Sequence, residues 1–88
     1  MQLTRFDDAS PVFPDGRCIR RLRHARGWSR RELCTAIAHA SRRATGIGEA
    51  LTPNLIAGVE EHGESVSYTT LCLIASGLDC DPIEILLP

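Results

Sequence analysis

The residues that decide the fold read IRRLRHARGWSRREL and begin at Ile19. Ile19 and Leu22 are three residues apart, so they face the same side of a helix. Gly27 is the residue type that most often ends a helix in the left-handed conformation. Ser29 is a good N-cap for a second helix, and Glu32 three residues later completes a capping box. The stretch therefore predicts two helices joined by a tight turn.

Further helices are predicted on both sides of this stretch. The first begins after the cap Asp15, and the second continues to about Thr45, where Gly46 and Gly48 follow. Thr52-Pro53 combines an N-cap with a residue suited to the first helical position, and a fourth helix starts near Tyr68. Asp81-Pro82 starts a last, short helix. No segment shows clear strand alternation, so we predict an all-α, five-helix domain over 15–88 with a flexible N-terminal arm over 1–14.

Composition predicts a single soluble domain. The chain has 88 residues, of which 43% are hydrophobic and 24% charged, which is typical of one globular core. It has no apolar run of membrane-spanning length, and its first residues lack the hydrophobic region of a signal peptide. We therefore expect a cytoplasmic protein with no membrane partner.

The charge is divided unevenly along the chain. All ten basic residues are arginines between Arg5 and Arg43, and seven of the eleven acidic residues follow Arg43. The first half therefore carries +6 and the second half −7 within a net charge of −1. This polarity is typical of a protein with a basic face for a polyanion. Alternatively, the arginines reflect a GC-rich genome, and the two halves neutralise each other on folding.

The cysteines and histidines do not form a metal-binding pattern. Cys18, Cys34, Cys72 and Cys80 include no C-x-x-C pair and no zinc-type spacing with a histidine. Each cysteine lies in an apolar helical context, where a reduced thiol packs as a small hydrophobe. We expect buried free thiols and no metal or cofactor, with a disulfide or metal site as the alternative.

Residues 19–33 resemble a known family of DNA-binding domains. The first helix and the opening of the second in the Cro and phage-repressor (XRE-like) helix-turn-helix family usually read I-R-x-L-R-x-x-R-G-L-S-Q-x-E-L. Here Trp28 replaces the aliphatic residue and Arg30 the glutamine. Residues 52–60 are similar to the family's recognition helix, which typically ends in isoleucine or valine followed by glutamate.

The second matching block continues to the end of the chain. From Glu60, the register runs without a gap through Leu71 and Leu78 to Asp81-Pro82, so the resemblance covers about 17–37 and 51–87. It implies a compact lambda-repressor-like helix-turn-helix fold. It also implies that Arg23 and Glu60 form the ion pair that ties the first helix to the end of the third. Alternatively, Arg23 and Glu60 do not pair, and each is a charged side chain in solvent.

The chain departs from the family between the second and third helices. About a dozen extra residues, from Ala38 to roughly Ala50, lie between the matching blocks. A helix-turn-helix requires the second helix to set the third in the major groove. The insert either bulges outward and preserves that angle or blocks the groove. Arg42 and Arg43 lie in the insert, where they face DNA or simply keep an exposed helix end soluble.

The resemblance places the DNA contacts at the starts of the second and third helices. Arg30 would bind phosphate with help from the helix N-terminus. Asn54 would pair with an adenine edge, or is only an exposed helix-start residue. Because Pro53 and Gly58 cannot hydrogen-bond a base through a side chain, we expect arginine–phosphate contacts to supply the affinity, with modest base readout or readout of DNA shape beside them. The predicted DNA-binding residues are Ser29, Arg30, Arg31, Arg42, Arg43, Thr52, Pro53, Asn54 and Gly58.

These features predict a DNA-binding transcription regulator, a repressor associated with the nucleoid. A homodimer on double-stranded DNA is expected because one short helix reads too few bases. The alternative is a protein-interaction module on the same fold, such as an antitoxin or an accessory factor, whose partner meets the acidic C-terminal half. We do not expect an enzyme, because no nucleophile lies within sequence reach of a general base and no glycine motif cradles phosphate.

Overall fold

The computed structural model describes residues 10–88. This part of the chain is mostly helical, with two very short strands that pair with each other. The elements in chain order are β1 (Pro11–Val12), α1 (Gly16–Ala25), α2 (Arg30–Thr45), α3 (Pro53–His62), β2 (Val66–Ser67), α4 (Tyr68–Leu78) and a 3-10 helix (Pro82–Ile85).

The expectation of an all-α fold with five helices was wrong in two respects. The fifth helix is one turn of 3-10 helix, because the backbone is already extended at Leu86, which bridges to Pro14. In addition, residues for which no strand was expected form an antiparallel pair, with Pro11 opposite Ser67 and Val12 opposite Val66. Strands of two residues are too short to produce a visible alternation in the sequence.

Residues 1–9 of the predicted arm over 1–14 lie outside the described residues, and the rest of the predicted arm packs against the domain. Pro14 is fully buried, the Asp15 amide donates to the Ile85 carbonyl at 2.7 Å, and the Leu87 amide donates to the Phe13 carbonyl at 3.0 Å. Residues 11–14 are therefore part of the folded domain.

The helix ends form where the capping residues predict them. Asp15 accepts from the Cys18 amide at 3.1 Å, and Thr52 accepts from the Leu55 amide at 3.1 Å. Ser29 and Glu32 form the predicted capping box, with bonds of 3.1 and 2.7 Å. These local signals set the first residue of each of α1, α2 and α3.

The core lies where all four helices and the 3-10 helix meet. α2 and α4 share the largest interface, and Gly77 allows their close approach. A Cβ placed on Gly77 would lie 2.5 Å from Ile37 Cγ1 and 3.0 Å from the Ile37 backbone nitrogen. The large side chains that are fully buried are Ile19, Leu33, Ile37, Ile56, Val59, Leu71, Ile74, Leu78 and Ile85.

The four cysteines are free thiols, and each is half-buried rather than fully buried. Burial raises the pKa of Cys34, partly offset by Arg31, and burial together with Glu84 and other groups raises the pKa of Cys80. These two thiols therefore stay protonated at neutral pH. Between residues 10 and 88, no helix is long and apolar enough to cross a membrane.

Candidate nucleic-acid interface

The first part of the insert continues α2, and its remaining residues, 46–50, fold back beside α2 and α4. α2 runs to Thr45, as predicted, and Gly46 ends it in the left-handed conformation at φ 84°. The buried Ser41 hydroxyl accepts from the Glu49 amide at 2.7 Å and so ties the loop to α2. Glu49 also shares a shallow groove with Thr69 and other residues of α4. The insert therefore lies beside α4, and the first turn of α3 stays exposed.

Asn54 occupies that exposed first turn. Thr52 and Asn54 are exposed, and Pro53 between them is half-buried. The Thr52 hydroxyl caps the helix, so part of its hydrogen-bonding capacity is already used. The Asn54 side chain makes no hydrogen bond to any residue in the described range. Its amide is free to act as donor and acceptor toward a ligand.

Gly58, one turn after Asn54, does not lie on the exposed surface. It is buried, and a Cβ placed there would collide with the carboxylate of Glu64. The predicted contact at Gly58 would require the Glu64 side chain to move, because the loop after α3 places Glu64 over the helix. The turn of α3 beyond Asn54 is thus covered by a carboxylate.

Arg23 and Glu60 form the predicted ion pair between α1 and α3. Arg23 Nε and Nη2 donate to the two carboxylate oxygens of Glu60, each at 2.8 Å, and Arg23 Nη1 donates to the Trp28 carbonyl at 2.8 Å. The Glu60 side chain is 0% exposed and that of Arg23 7%. The pair fixes the end of α3 against the turn that follows α1.

Arg30 is part of the same network, which the sequence did not predict. Its Nε donates to Glu60 at 3.2 Å and its Nη2 to Glu61 at 2.7 Å. Hydrogen bonding to Glu61 is the largest of the effects that raise the pKa of Arg30. Arg30 therefore neutralises carboxylates of α3, and it can bind a phosphate only by giving up at least part of that contact.

Burial alone would raise the pKa of Glu60, but hydrogen bonds and charge from Arg23 and Arg30 outweigh it. The pKa of Glu60 consequently lies below its ordinary value. The carboxylate is ionised at neutral pH, and its three hydrogen bonds satisfy both of its oxygens.

The remaining predicted contacts lie on α2. Ser29 is exposed, but its hydroxyl and amide are both used in the capping box. Arg31, Arg42 and Arg43 are exposed and have no ion pair with residues 10–88. The Arg42 guanidinium lies close to Gly48 in the insert. Three cations are thus available along α2, one at its start and two in its last turn.

Sequence reasoning missed a second set of free arginines on α1. Arg17, Arg20 and Arg21 are exposed, as is His24, and none of the four has an ion pair in the described part of the chain. Their spacing of three, four and seven residues places them on one face of the helix. The sequence already contained this signal, because Ile19 and Leu22 mark the inward face of the helix and the four residues fall on the opposite face.

No family model, curated protein or solved structure matches this chain. The likeness to helix-turn-helix domains therefore rests on the residues quoted above.

Proposed function

We propose that this protein is a DNA-binding transcription regulator that uses α2 and α3 as a helix-turn-helix with an enlarged turn. The observation that carries the proposal is the free, exposed Asn54 in the first turn of a helix that is anchored at its other end by the buried Arg23–Glu60 pair. A base-reading side chain needs such a rigid support, because an imprecise position loses the hydrogen bonds to a base edge.

In this proposal α3 enters the major groove by its N-terminal turn. Asn54 pairs with an adenine edge, and Thr52 contacts phosphate or a thymine methyl. Arg31, Arg42 and Arg43 bind the backbone on either side, and Arg30 joins them when it exchanges Glu61 for a phosphate. A homodimer doubles the number of bases read and gives two-fold symmetric half-sites.

The test begins with selection of duplexes from a randomised pool. Binding of the selected and the random duplex is then measured by fluorescence anisotropy for the wild type, Asn54→Ala and the matched control Thr69→Ala on α4. Asn54→Ala should lower affinity for the selected duplex by about 5- to 150-fold per half-site, which corresponds to about 1–3 kcal/mol. Affinity for the random duplex should change little.

Thr69→Ala should leave both affinities unchanged, since Thr69 is exposed on α4. Failure to enrich any duplex over the random pool at low salt would overturn the proposal. If Asn54→Ala lowers affinity for the selected and the random duplex equally, Asn54 does not read the base sequence.

A protein-interaction module, such as an antitoxin or an accessory factor, is the second candidate. It is favoured by the carboxylates around α3: Glu61 holds Arg30, and Glu64 covers Gly58. On this alternative, substitutions at Glu61, Glu64 or Asp81 would weaken binding to a protein partner, and substitutions of the arginines would have little effect.

A further inference from the structure

The solvent face of α1 carries a stripe of positive charge that the fold does not use. The α1 stripe takes its charge from Arg17, Arg20 and Arg21, and His24 lies on the same face; all four side chains are exposed. The other arginines of this region serve the fold instead. Arg23 pairs with Glu60, and Arg26 donates to the Leu78 carbonyl and lies 5.5 Å from the Trp28 ring.

Helix geometry concentrates these charges. At 100° per residue the four side chains fall within an arc of about 100°, and they span about 10 Å along the helix axis. One strand of duplex DNA presents a phosphate about every 3.4 Å of its axis, and successive phosphates also turn around that axis, so the stripe is long enough to contact about two or three neighbouring phosphates. Guanidinium groups suit this ligand because they bind phosphate oxygens with two parallel hydrogen bonds.

The composition of the face distinguishes a phosphate backbone from other anionic partners. An amphipathic helix that binds a membrane needs large apolar side chains beside its cations, and a protein groove needs buried apolar anchors. The large hydrophobic side chains that are exposed in residues 10–88 are Phe13, Ile47, Ile83 and Leu87, and none of them lies on α1. The face therefore offers charge and hydrogen-bond donors without an apolar anchor.

We propose that the α1 stripe binds the sugar-phosphate backbone of DNA and adds affinity without reading sequence. This inference rests on the proposed function for the identity of the polyanion, but it does not require α3 to read bases. It assigns Arg17, Arg20 and Arg21 a role that is separate from that of Asn54. Two different measurements can therefore separate the two surfaces.

The experiment compares the wild-type protein with two triple variants. The first carries Arg17→Gln, Arg20→Gln and Arg21→Gln, and the second carries lysine at the same three positions as a charge-preserving control. Affinities for a random and a selected duplex are measured over a series of salt concentrations. Because the three side chains have no hydrogen bond or ion pair in residues 10–88, thermal melting should show that both variants fold.

The glutamine variant should bind random DNA more weakly, and its log–log salt slope should be flatter by about 2–3 per bound monomer, at about 0.9 per lost contact. The ratio of selected to random affinity should not change. The lysine variant should keep most of the wild-type dependence of affinity on salt, because it keeps the three positive charges. A glutamine variant with the wild-type slope and affinity would overturn the inference.

Two further outcomes are decisive. If no duplex is preferred over the random pool but the glutamine variant still flattens the slope, the proposed function fails and the α1 stripe stands. If wild-type protein binds vesicles of equal parts phosphatidylserine and phosphatidylcholine as tightly as DNA, and the glutamine variant loses that binding, the stripe is a membrane surface and the inference is overturned.

Discussion

Glu60 joins three segments of the chain through one carboxylate. It lies on α3, accepts from Arg23 on α1 and from Arg30 at the start of α2, and its side chain is fully buried. A buried charge that loses its partner retains the full cost of desolvation. The stability of this network therefore depends on having all its members present.

Glu60→Ala should lower the free energy of unfolding by about 3 kcal/mol, because Arg23 is left charged and buried. The measurement is urea unfolding, with Glu61→Ala as the control. Glu61 is exposed, and its ion pair should contribute less than about 1 kcal/mol. Replacing Arg23 and Glu60 together with hydrophobic residues should recover part of the loss. Similar losses for Glu60→Ala and Glu61→Ala would contradict this account.

The lowered pKa of Glu60 sets the pH dependence of stability. Since the carboxylate binds protons less readily in the folded state, its contribution is complete above the unfolded value of about 4.3 and is lost as the pH falls below it. Unfolding of the wild type and of Glu60→Gln in urea should be compared between pH 7 and 3. The stability difference between the two should shrink on acidification below about pH 4.3. A constant difference would show that Glu60 does not titrate with folding.

If the proposed function holds, Glu61 competes with phosphate for Arg30. Its bond to Arg30 Nη2 is 2.7 Å long, and the Glu61 side chain is 47% exposed. Glu61→Gln should therefore raise affinity for selected and random duplexes alike, by releasing a guanidinium toward phosphate and removing a negative charge. Anisotropy at low salt measures the effect, and Arg30→Ala combined with Glu61→Gln should remove most of the gain. Unchanged affinity in Glu61→Gln would place Arg30 away from the DNA.

At the scale of elements, the close contact of α2 with α4 depends on the absence of a side chain at Gly77. The atoms nearest to an added Cβ include the Ile37 backbone, which cannot rotate away as a side chain can. Gly77→Ala should therefore cost about 1–3 kcal/mol by overpacking, although alanine favours helix.

The matched control is Ser76→Ala, an exposed position on the same turn of α4. It should leave the free energy of urea unfolding unchanged or slightly increased. A Gly77→Ala protein as stable as Ser76→Ala would mean that α2 and α4 can move apart without lowering the free energy of unfolding.

The elements that could be predicted from sequence are those with local signals. Asp15, Ser29 and Thr52 each cap a helix within three residues of themselves, so a short window contains the whole interaction. β1 could not be predicted, because its partner lies more than fifty residues away in β2. The last segment forms only a 3-10 turn because its pairing with Pro14 keeps Leu86 extended.

The same distinction applies to the candidate site, where some features could be predicted from the sequence and others could not. The exposure of Asn54 and the Arg23–Glu60 pair follow from the register of the resemblance. The capture of Arg30 by Glu61 and the covering of Gly58 by Glu64 do not. Both depend on how the end of α3 and the following loop pack in three dimensions, which no spacing rule in the sequence encodes.

At the scale of the whole molecule, folding pairs only part of the charge carried by residues 10–88. Among residues 10–88, ion pairs join Arg23 and Arg30 to Glu60 and Glu61. The exposed arginines without an ion pair remain on α1 and α2. This unpaired arginine charge is what the proposed contact with a polyanion would use.

The pairing of residues 13–15 with residues 85–87 also has a consequence for motion. The Asp15 amide bonds to Ile85, and the Leu87 amide to Phe13, across about seventy residues of chain. These bonds lie near the two ends of the described range, and the side chains of Phe13 and Leu87 are exposed, although Ile85 belongs to the core. This pairing, which we call the clasp, should therefore open and close while α2 and α4 stay folded.

Amide hydrogen exchange followed by NMR can measure this opening. Leu87 and Asp15 should exchange with a smaller free energy of opening than Ile37 and Leu71, whose amides lie in the buried helices. Equal values at all four amides would mean that the domain opens only as a whole. Under the expected result, the first partly unfolded form of this protein keeps α2 and α4 folded and has lost the hydrogen bonds between residues 13–15 and residues 85–87.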